Sequence, residues 1–518
     1  MPDLLARVTR RLRGSAAERE RYAAFVEHVE PRLAARPRVH RFAVPPVRGD
    51  PALQPQPVAL IIDTTAGGDA AATRASIEAG GVLGVDPADP LTAAAVVEGD
   101  PRRLLGEVRA PWAAVIAAGD RLGKGALRRL GQAAALAGDA ALLTCDDDVL
   151  DRSERRTSPR CFPGPSPDLM RERDLTGSLI AFATRRLPAR IADSPAWRYE
   201  VALRVAGPDA VRHAHLPLVL CHRAAGNAAR PPAPAHTALT PPLRGEPAVD
   251  AIVCFRDRPD LLERCARSLL EDTSYDRLAL RLVDNGSEEV ATADLLDRLQ
   301  RDPRVTVRRD MRPFNFAALN NAAAAESDAD VLAFVNNDVE ATEPDWLEPL
   351  LAHAQREEVG AVGPLLVRPD GRVQHAGVAI GIHGTAGHPF AGLRPGADTP
   401  FGTATDGVRN CLAVTAACLV VERRKFDAVG GFDEGFAVGG NDVDLGLRLG
   451  VAGHRSLCVP HVRLVHAESS TRDPSEVLPG DLALSRERYG DFLVDGDPFY
   501  NPNLTLADTS CAMRGPDE

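Results

Sequence analysis

The feature that most constrains the fold is an alternation of short apolar runs with helical patterns between residues 249 and 338. Over this stretch a run typical of a buried strand is followed by a helical pattern about four times. Because crossovers between parallel strands carry a helix and are right-handed, the alternation predicts an α/β domain on a mainly parallel sheet. The clearest run, Val331–Val335, ends abruptly at Asn336-Asn337-Asp338.

Two carboxylates stand where predicted strands end. Asp284 follows one strand and Asp338 follows another, so both are expected at the same edge of the sheet, where α/β proteins bind ligands. A divalent cation that also holds substrate phosphates commonly takes only one or two protein carboxylates. The alternative for the polar residues at these strand ends is an ordinary turn. For Asn441 and Asp442, the alternative is that they cap the helix that follows them.

Bulk properties exclude several classes of protein. A chain of 518 residues is too long for one core, and its net charge of −11 gives no general attraction to nucleic acid. The longest apolar run, Cys411 to Val421, is too short to span a bilayer and is predicted to be one buried strand. The N-terminus lacks a signal-like apolar centre, and the nine cysteines include no CxxC pair. We therefore predict a cytoplasmic protein without a nucleic-acid partner, a zinc site or a disulfide framework.

Residues 1–35 are predicted to form an amphipathic helix. Leu4, Leu5, Val8 and Leu12 share one face, and arginines crowd the other. Such a helix can lie on an anionic surface such as the inner face of the cell membrane, which predicts a peripheral membrane contact. The alternative is a helix packed on its own domain with a solvated basic face.

The first half, residues 36–223, also alternates strands and helices. A predicted strand at Ala140–Thr144 runs into Asp146–Asp148, which we interpret as a solvated turn rather than a metal site. Proline-rich residues 224–248 predict a semi-rigid linker. If the two domains share no core, a fragment of residues 246–518 is expected to fold alone.

Several short motifs of the second half occur in a recognisable order. They are Val283–Ser287, Phe314–Asn321, Val335–Val339, Gln374–Val378, Gly430–Glu434, Asn441–Leu445 and His466–Ser469. Together they resemble family 2 glycosyltransferases of the GT-A fold, particularly the rhamnosyltransferase-like branch that builds bacterial surface polysaccharides. The resemblance covers about 249–505 and implies a catalytic domain at 249–472, with a C-terminal tail, 473–518, packing on it.

The resemblance implies an inverting transfer from a nucleoside-diphosphate sugar to a glycan or lipid-linked acceptor. Asp442 matches the general base, while Asp338 and His466 match the ligands of Mg²⁺ or Mn²⁺. The metal-binding DxD motif here reads Asn336-Asn337-Asp338, one charge short. The positions matching the nucleotide-sugar contacts are Phe255, Arg256, Asp284, Asn315, Asn320 and Asn337.

The first half resembles a degenerate repeat of the second. The parallel segments are Tyr199–Val205 with Val443–Leu449, and Val211–His222 with His454–His466. In this alignment Arg198 stands at the position of Asp442, and Ala117–Gly119 at that of Asn336–Asp338. We therefore expect two tandem GT-A (Rossmann-like) domains, of which the first, at 36–223, is degenerate and non-catalytic.

Two other functions fit parts of the sequence. A non-catalytic scaffold that binds nucleotide sugar or glycan in a polysaccharide assembly complex would explain the missing acid at Asn336, but not the intact Asp442 and His466. A nucleotidyltransferase would need a glycine-rich phosphate loop with a lysine after the first strand. Residues Phe255–Asp260 contain neither glycine nor lysine.

Overall fold

The structure, a computed structural model, describes residues 16–35, 38–41, 47–48, 55–65, 67–79, 96–207, 212–225, 240–467 and 478–518. Leu4, Leu5, Val8 and Leu12 of the predicted N-terminal helix lie outside the described residues, as does most of the proline-rich segment. The chain forms two α/β units, each built on one large sheet, which confirms the predicted fold class with tandem domains. No helix within the described ranges is long and apolar enough to cross a membrane.

Over the described residues, the first unit contains ten strands and the N-terminal helices. Its strands are β1 (Arg38–Arg41), β2 (Val47–Arg48), β3 (Val58–Asp63), β4 (Val96–Gly99), β5 (Trp112–Ala117), β6 (Arg121–Leu122), β7 (Leu142–Leu150), β8 (Arg156–Arg160), β9 (Ile180–Ala183) and β10 (His213–Ala224). Its helices are α1 (Ala16–Ala24, extended by a π-turn over Phe25–Val29), α2 (Glu30–Ala35), α3 (Ala70–Ala79), α4 (Pro101–Leu104), α5 (Ala126–Leu136), α6 (Pro167–Glu172) and α7 (Trp197–Ala206), with a 3₁₀ turn at Thr184–Arg186.

The second unit follows the same plan with more strands. They are β11 (Val249–Phe255), β12 (Leu278–Asp284), β13 (Val305–Arg309), β14 (Val331–Val335), β15 (Val339–Ala341), β16 (Val359–Val367), β17 (Val373–His375), β18 (Ala379–Ile380), β19 (Ala386–Gly387), β20 (Arg409–Cys411), β21 (Cys418–Glu422) and β22 (Arg455–His466). The helices are α8 (Pro259–Leu270), α9 (Val290–Leu299), α10 (Phe316–Ala325), α11 (Leu347–Ala354), α12 (Arg423–Ala428), α13 (Asn441–Val451), α14 (Pro479–Arg488) and α15 (Gly490–Asp495), with a 3₁₀ turn at Ile382–Gly384.

Both sheets have the same central strand order. The first runs β4-β3-β5-β9-β7-β10, and the second runs β12-β11-β14-β21-β16-β22. The directions also agree: the first three strands of each series are parallel, the fourth is antiparallel to both neighbours, and the last two are parallel to each other. The two halves are therefore repeats of one architecture, as their helix and strand motifs predict.

The amino-acid composition of the central strands explains why they are buried. β11 and β14 are buried on both faces, which matches their runs of valine, isoleucine, alanine and phenylalanine. Pro259 stands at the start of α8, where its missing N–H costs nothing. Both neighbours of β11 are parallel to it, so all three strands end at one edge of the sheet.

The predicted turn at Asp146–Asp148 is wrong. The three aspartates lie inside β7, and none has exposed surface. Asp146 accepts hydrogen bonds from Asn501 and Asn503 of the C-terminal tail. A buried carboxylate is stable only with such partners, and a local sequence pattern does not contain them.

The predicted single strand from Cys411 to Val421 is also wrong, because it is two strands separated by a loop. β20 ends at Cys411, β21 begins at Cys418, and residues 412–417 leave the sheet although five of the six are apolar and all are almost wholly buried. This loop reaches the candidate site described below.

The two units share a hydrophobic core. It joins residues of the N-terminal helices, the first unit, the second unit and the tail, including Phe25, Cys161, Leu365, Phe390 and Tyr500. The condition for independent folding of residues 246–518 is therefore not met, since cutting at the linker would expose apolar surface of the second unit.

A buried ion cluster adds to this interface. The carboxylate of Asp168 in α6 accepts hydrogen bonds from Arg356 and Arg455 of the second unit, at 2.6 and 2.9 Å. Because separation would leave these charges without their partners, the cluster fixes the two units to each other.

Candidate functional site

Polar side chains collect at the edge where β11, β12 and β14 end. Phe255, the last residue of β11, pairs with Asp284, the last residue of β12. β14 ends at Val335, and the turn Asn336–Asp338 follows it directly. The structure therefore brings both predicted strand-end carboxylates to the same edge.

Asp338 contacts His466. β15, which follows the turn, pairs with the end of β22, so that Val339 lies opposite His466. His466 Nε2 lies 3.1 Å from Asp338 Oδ1, and 8% and 12% of the two side chains are exposed. Residues separated widely in sequence thus form one imidazole–carboxylate pair at the strand ends.

Asp442 is the second residue of α13, not its cap. The N-cap position belongs to Gly440, whose φ of 92° lies in the left-handed region favoured by glycine, and Asn441 opens the helix. Asp442 Oδ2 accepts a hydrogen bond from the backbone N–H of Ala416 at 3.1 Å. The capping alternative for Asn441 and Asp442 is therefore not what the structure shows.

The loop Thr415–Ala417 connects these two parts of the site. Ala416 N donates to Asp442, while Ala417 O accepts from Asn336 N at 2.9 Å. One short loop therefore sets the position of the helix-borne carboxylate relative to the turn that carries Asp338.

A second cluster lies around Asp284, which is 3% exposed. Asp284 Oδ1 accepts a hydrogen bond from Ser287 N at 2.7 Å, and Arg309 Nε lies 3.8 Å from Oδ2. Phe255 is buried next to it, whereas the Arg256 side chain is 60% exposed and lies 3.2 Å from Glu288.

The three asparagines predicted to contact a nucleotide sugar have different environments. Asn315 caps α10 through Ala318 N, and its Nδ2 donates to Glu434 O. Asn337 is half-buried in the turn after β14. Asn320 is 1% exposed and its Nδ2 donates to Phe316 O within its own helix, so its side chain offers almost no surface to a ligand.

Two residues at the site were missed in the sequence. Asp481 of α14 accepts hydrogen bonds from the N–H groups of three successive residues, 437–439, which lead into α13. His375 is fully buried and contacts Thr415 N. His375 lies in the motif Gln374–Val378, which was a usable signal, but nothing local to Asp481 indicated its role.

Asp338 and His466 fit a divalent cation. Adjacent ligands of an octahedral ion with bonds near 2.1 Å lie about 3 Å apart, as Oδ1 and Nε2 do here. Among the described residues no group of three or more His, Cys, Asp or Glu side chains could hold a metal ion. An ion at this pair would therefore depend on further ligands from a bound substrate, such as a diphosphate.

The second unit matches a known protein family. The model of the family described as glycosyl transferase family 2 matches residues 250–395. That range contains Asp284 and Asp338, while Asp442 and His466 lie beyond it.

Two curated relatives extend the match. The O-antigen biosynthesis protein RfbC of Myxococcus xanthus is 38% identical over 460 residues, 80% of this chain and 36% of that protein. The N-acetylglucosaminyl-diphospho-decaprenol L-rhamnosyltransferase of Mycobacterium tuberculosis is 35% identical over 145 residues, 26% of this chain and 47% of that protein. The chain thus spans less than half the length of each of these relatives.

Among solved structures, the mannosyltransferase PcManGT from Pyrobaculum calidifontis in complex with GDP-Man and Mn²⁺ is 18% identical to this chain. The similarity covers 45% of this chain and 60% of that one, with a TM-score of 0.34.

Proposed function

Because the chain contains a family 2 glycosyltransferase domain similar to rhamnosyltransferases, we propose that it transfers a sugar from a nucleoside-diphosphate sugar to a glycan or lipid-linked acceptor. The observation that carries this proposal is the convergence of Asp338, His466 and Asp442 at one sheet edge, connected through the loop Thr415–Ala417. The O-antigen protein among the relatives supports a role in bacterial surface polysaccharide synthesis.

The reaction follows from the residue types. An acceptor hydroxyl oxygen attacks the anomeric carbon, and its proton passes to the carboxylate of Asp442. The bond from the anomeric carbon to the diphosphate oxygen breaks, and its electron pair leaves with the nucleoside diphosphate. Attack from the face opposite the leaving group inverts the anomeric centre.

The other residues bind and orient the donor. In this proposal Asp284 contacts the nucleoside, with Phe255 at the end of β11 and Arg256 directly after it, and Asn337 lies beside the diphosphate. Asp338 and His466 would hold Mg²⁺ or Mn²⁺, which when bound would offset charge on the leaving diphosphate. Holding donor and acceptor in line contributes much of the acceleration in such reactions.

The first unit is proposed to be non-catalytic. Arg198 stands at the position of the base, and its guanidinium cannot accept a proton. Ala117 and Ala118, at the positions of Asn336 and Asn337, offer no metal ligand. We also propose that the chain works in the reducing cytoplasm, which its nine unpaired cysteines support. The rhamnosyltransferase relative's name supports a deoxyhexosyl donor and a lipid-linked acceptor.

The test is a screen of the full chain against UDP-, dTDP- and GDP-linked sugars with Mn²⁺ or Mg²⁺, using mass spectrometry to detect free nucleoside diphosphate. We expect release with one donor class, and loss of release in Asp442→Asn. Binding of a donor without any release, in wild type and variant alike, would instead support the non-catalytic scaffold.

A further inference from the structure

The motif Gln374–Val378 has no part in the mechanism so far, although it lies next to the proposed site. Its histidine, His375, ends β17, which pairs with β16 in the second sheet. The His375 side chain has no exposed surface. A fully buried polar ring must be satisfied by hydrogen bonds, so its partners show what it supports.

The partners of His375 define its tautomer. Its Nε2 accepts hydrogen bonds from Gly377 N at 3.2 Å and from Thr415 N at 3.5 Å. A nitrogen that accepts from N–H groups carries no proton, so the proton of the neutral ring is on Nδ1. Nδ1 lies 2.9 Å from Nδ1 of His388, which is the acceptor of that proton.

The His375 ring stays neutral in the folded protein. Burial, together with the nearby rings of His388 and His466, holds the pKa of His375 well below its ordinary value. A neutral ring of fixed tautomer cannot act as an acid at Nε2, but it is a stable acceptor for a backbone N–H.

The segment held by His375 is the loop that positions Asp442. Thr415 N donates to His375, the next residue, Ala416, donates to Asp442 Oδ2, and Ala417 O accepts from Asn336. Leu412, three residues before this loop, packs closely on α13, because a side chain at Gly446 would collide with the Leu412 carbonyl. The contact with His375 is therefore one of the restraints on this loop, and it is the one that a histidine side chain supplies.

We propose that His375 is a positioning residue for sugar transfer, resting on the proposed function above. Its ring fixes the loop Thr415–Ala417, and the loop fixes the Asp442 carboxylate relative to the turn Asn336–Asp338. His375 touches neither donor nor acceptor. Its loss misplaces the base without removing the groups that bind the nucleotide.

The first test compares three variants of the full chain. His375→Phe keeps a ring but removes both nitrogens, while His375→Gln keeps an oxygen that can accept from Thr415 N. His213→Phe is the matched control, because His213 is a buried histidine in β10 of the first unit. Rates are measured with the active donor, and binding of UDP, dTDP and GDP with Mn²⁺ is measured by calorimetry.

We expect His375→Phe to lower kcat about ten- to hundredfold, because small displacements of catalytic groups cost rates of that order. Nucleoside diphosphate affinity should stay within about twofold, and His375→Gln should recover most of kcat. The control should lower thermal stability while leaving kcat within about threefold of wild type. Equal losses of kcat and of nucleotide affinity, or no rescue by glutamine, would overturn the proposal.

A second measurement separates this proposal from the proposed function. Hydrogen exchange of peptides covering residues 412–418 reports on the loop whether or not the protein is active. We expect faster exchange there in His375→Phe and wild-type protection in His375→Gln. Unchanged protection in the phenylalanine variant would refute the positioning role even if the wild type transfers sugar. Inactivity of the wild type with every donor would count against the function alone.

Discussion

Both sheets carry carboxylates toward the edge at which their parallel strands end, but in very different environments. In the first sheet these are Asp146–Asp148, which lie in β7 beyond its pairing with β9. In the first unit Asp146–Asp148 have no exposed surface, and every one of them is bound by the protein's own side chains. In the second unit the Asp338 side chain keeps 12% of its surface exposed, and Asp442 is half-buried. The two sheets share strand order and strand direction, so the sheet itself does not determine this difference.

The difference lies in what covers each edge. Asn501 and Asn503 of the C-terminal tail bind Asp146, and Tyr22 of α1 binds Asp148 at 2.6 Å. These segments come from the two ends of the chain and fill the first edge. In the second unit the tail contacts the segment that leads into α13 through Asp481, but the side chains of Asp338 and Asp442 stay partly exposed.

The helix that carries the proposed base shows the same contrast. Arg198 is the second residue of α7, and Asp442 is the second residue of α13. Arg198 Nη2 donates to Gly177 O within the first unit, whereas Asp442 accepts from the loop that reaches the second sheet edge. Both units carry a charged side chain at the second position of this helix, but only Asp442 can accept a proton.

The largest effect is expected from exchanging that side chain. Asp442→Asn should lower kcat by about two to four orders of magnitude, because an amide cannot act as a general base. The matched change in the first unit, Arg198→Gln, should leave kcat within about threefold. Steady-state kinetics of both variants measure this, and more than about a tenth of wild-type kcat in Asp442→Asn would contradict the assignment.

Substitution of a buried aspartate of the first unit should lower the stability of the protein and leave its catalytic rate unchanged. Asp148→Ala leaves Arg156, His222 and Tyr22 without their shared acceptor, and removing one partner of a buried ion pair costs about 3–5 kcal/mol. The free energy of unfolding, measured with denaturant, should fall by this amount, while kcat below the melting temperature is retained. Asp139→Ala, at an exposed position of the same unit, is the control and should change stability by less than about 0.5 kcal/mol. Loss of kcat in correctly folded Asp148→Ala would give the first edge a catalytic part.

The strand-end site of the second unit is easier to predict from the sequence than the buried aspartates of the first unit, for a physical reason. Strands such as Val331–Val335 are buried on both faces, so composition identifies them, and their polar ends mark the edge. Asp146–Asp148 look like a turn because their partners, Asn501 and Asn503, lie more than 300 residues away. Apolar composition alone likewise could not show that residues 412–417 leave the sheet to contact Asp442.

A smaller effect is expected at the proposed metal position. Asp338→Asn should weaken binding of the nucleoside diphosphate about tenfold in Mn²⁺, or about 1.4 kcal/mol, and should have no effect in EDTA. Calorimetry under both conditions measures the difference. Asp328→Asn, at an exposed position of the same unit, serves as the control. Identical affinities for wild type and Asp338→Asn in Mn²⁺ would remove the metal role from this edge.

The last expected effect is on the pH dependence of stability, and it concerns the C-terminal tail that covers Asp146 in the first unit. Asp497 precedes Asn501 and Asn503, and its carboxylate accepts hydrogen bonds from Ile380 N and Phe499 N. Burial raises the pKa of Asp497 to about 7, although an unfolded chain releases this proton near pH 4. Between these values the folded protein keeps a proton that the unfolded chain has lost, so the contribution of Asp497 to stability is complete below pH 4 and falls as the pH rises to 7.

We therefore expect the free energy of unfolding of the wild type, relative to Asp497→Asn, to decrease from pH 4 to pH 7 and then level off. One group can contribute at most about 1.4 kcal/mol per pH unit. Denaturant titrations of both proteins at matched pH values isolate this group from the other titrating side chains. The protection of residues 497–505 relative to intrinsic exchange should fall over the same interval in the wild type but not in Asp497→Asn, because ionisation of Asp497 weakens the anchorage of the segment that covers Asp146. If the stability difference between wild type and Asp497→Asn does not change with pH, protonation of Asp497 does not stabilise the tail segment that covers Asp146.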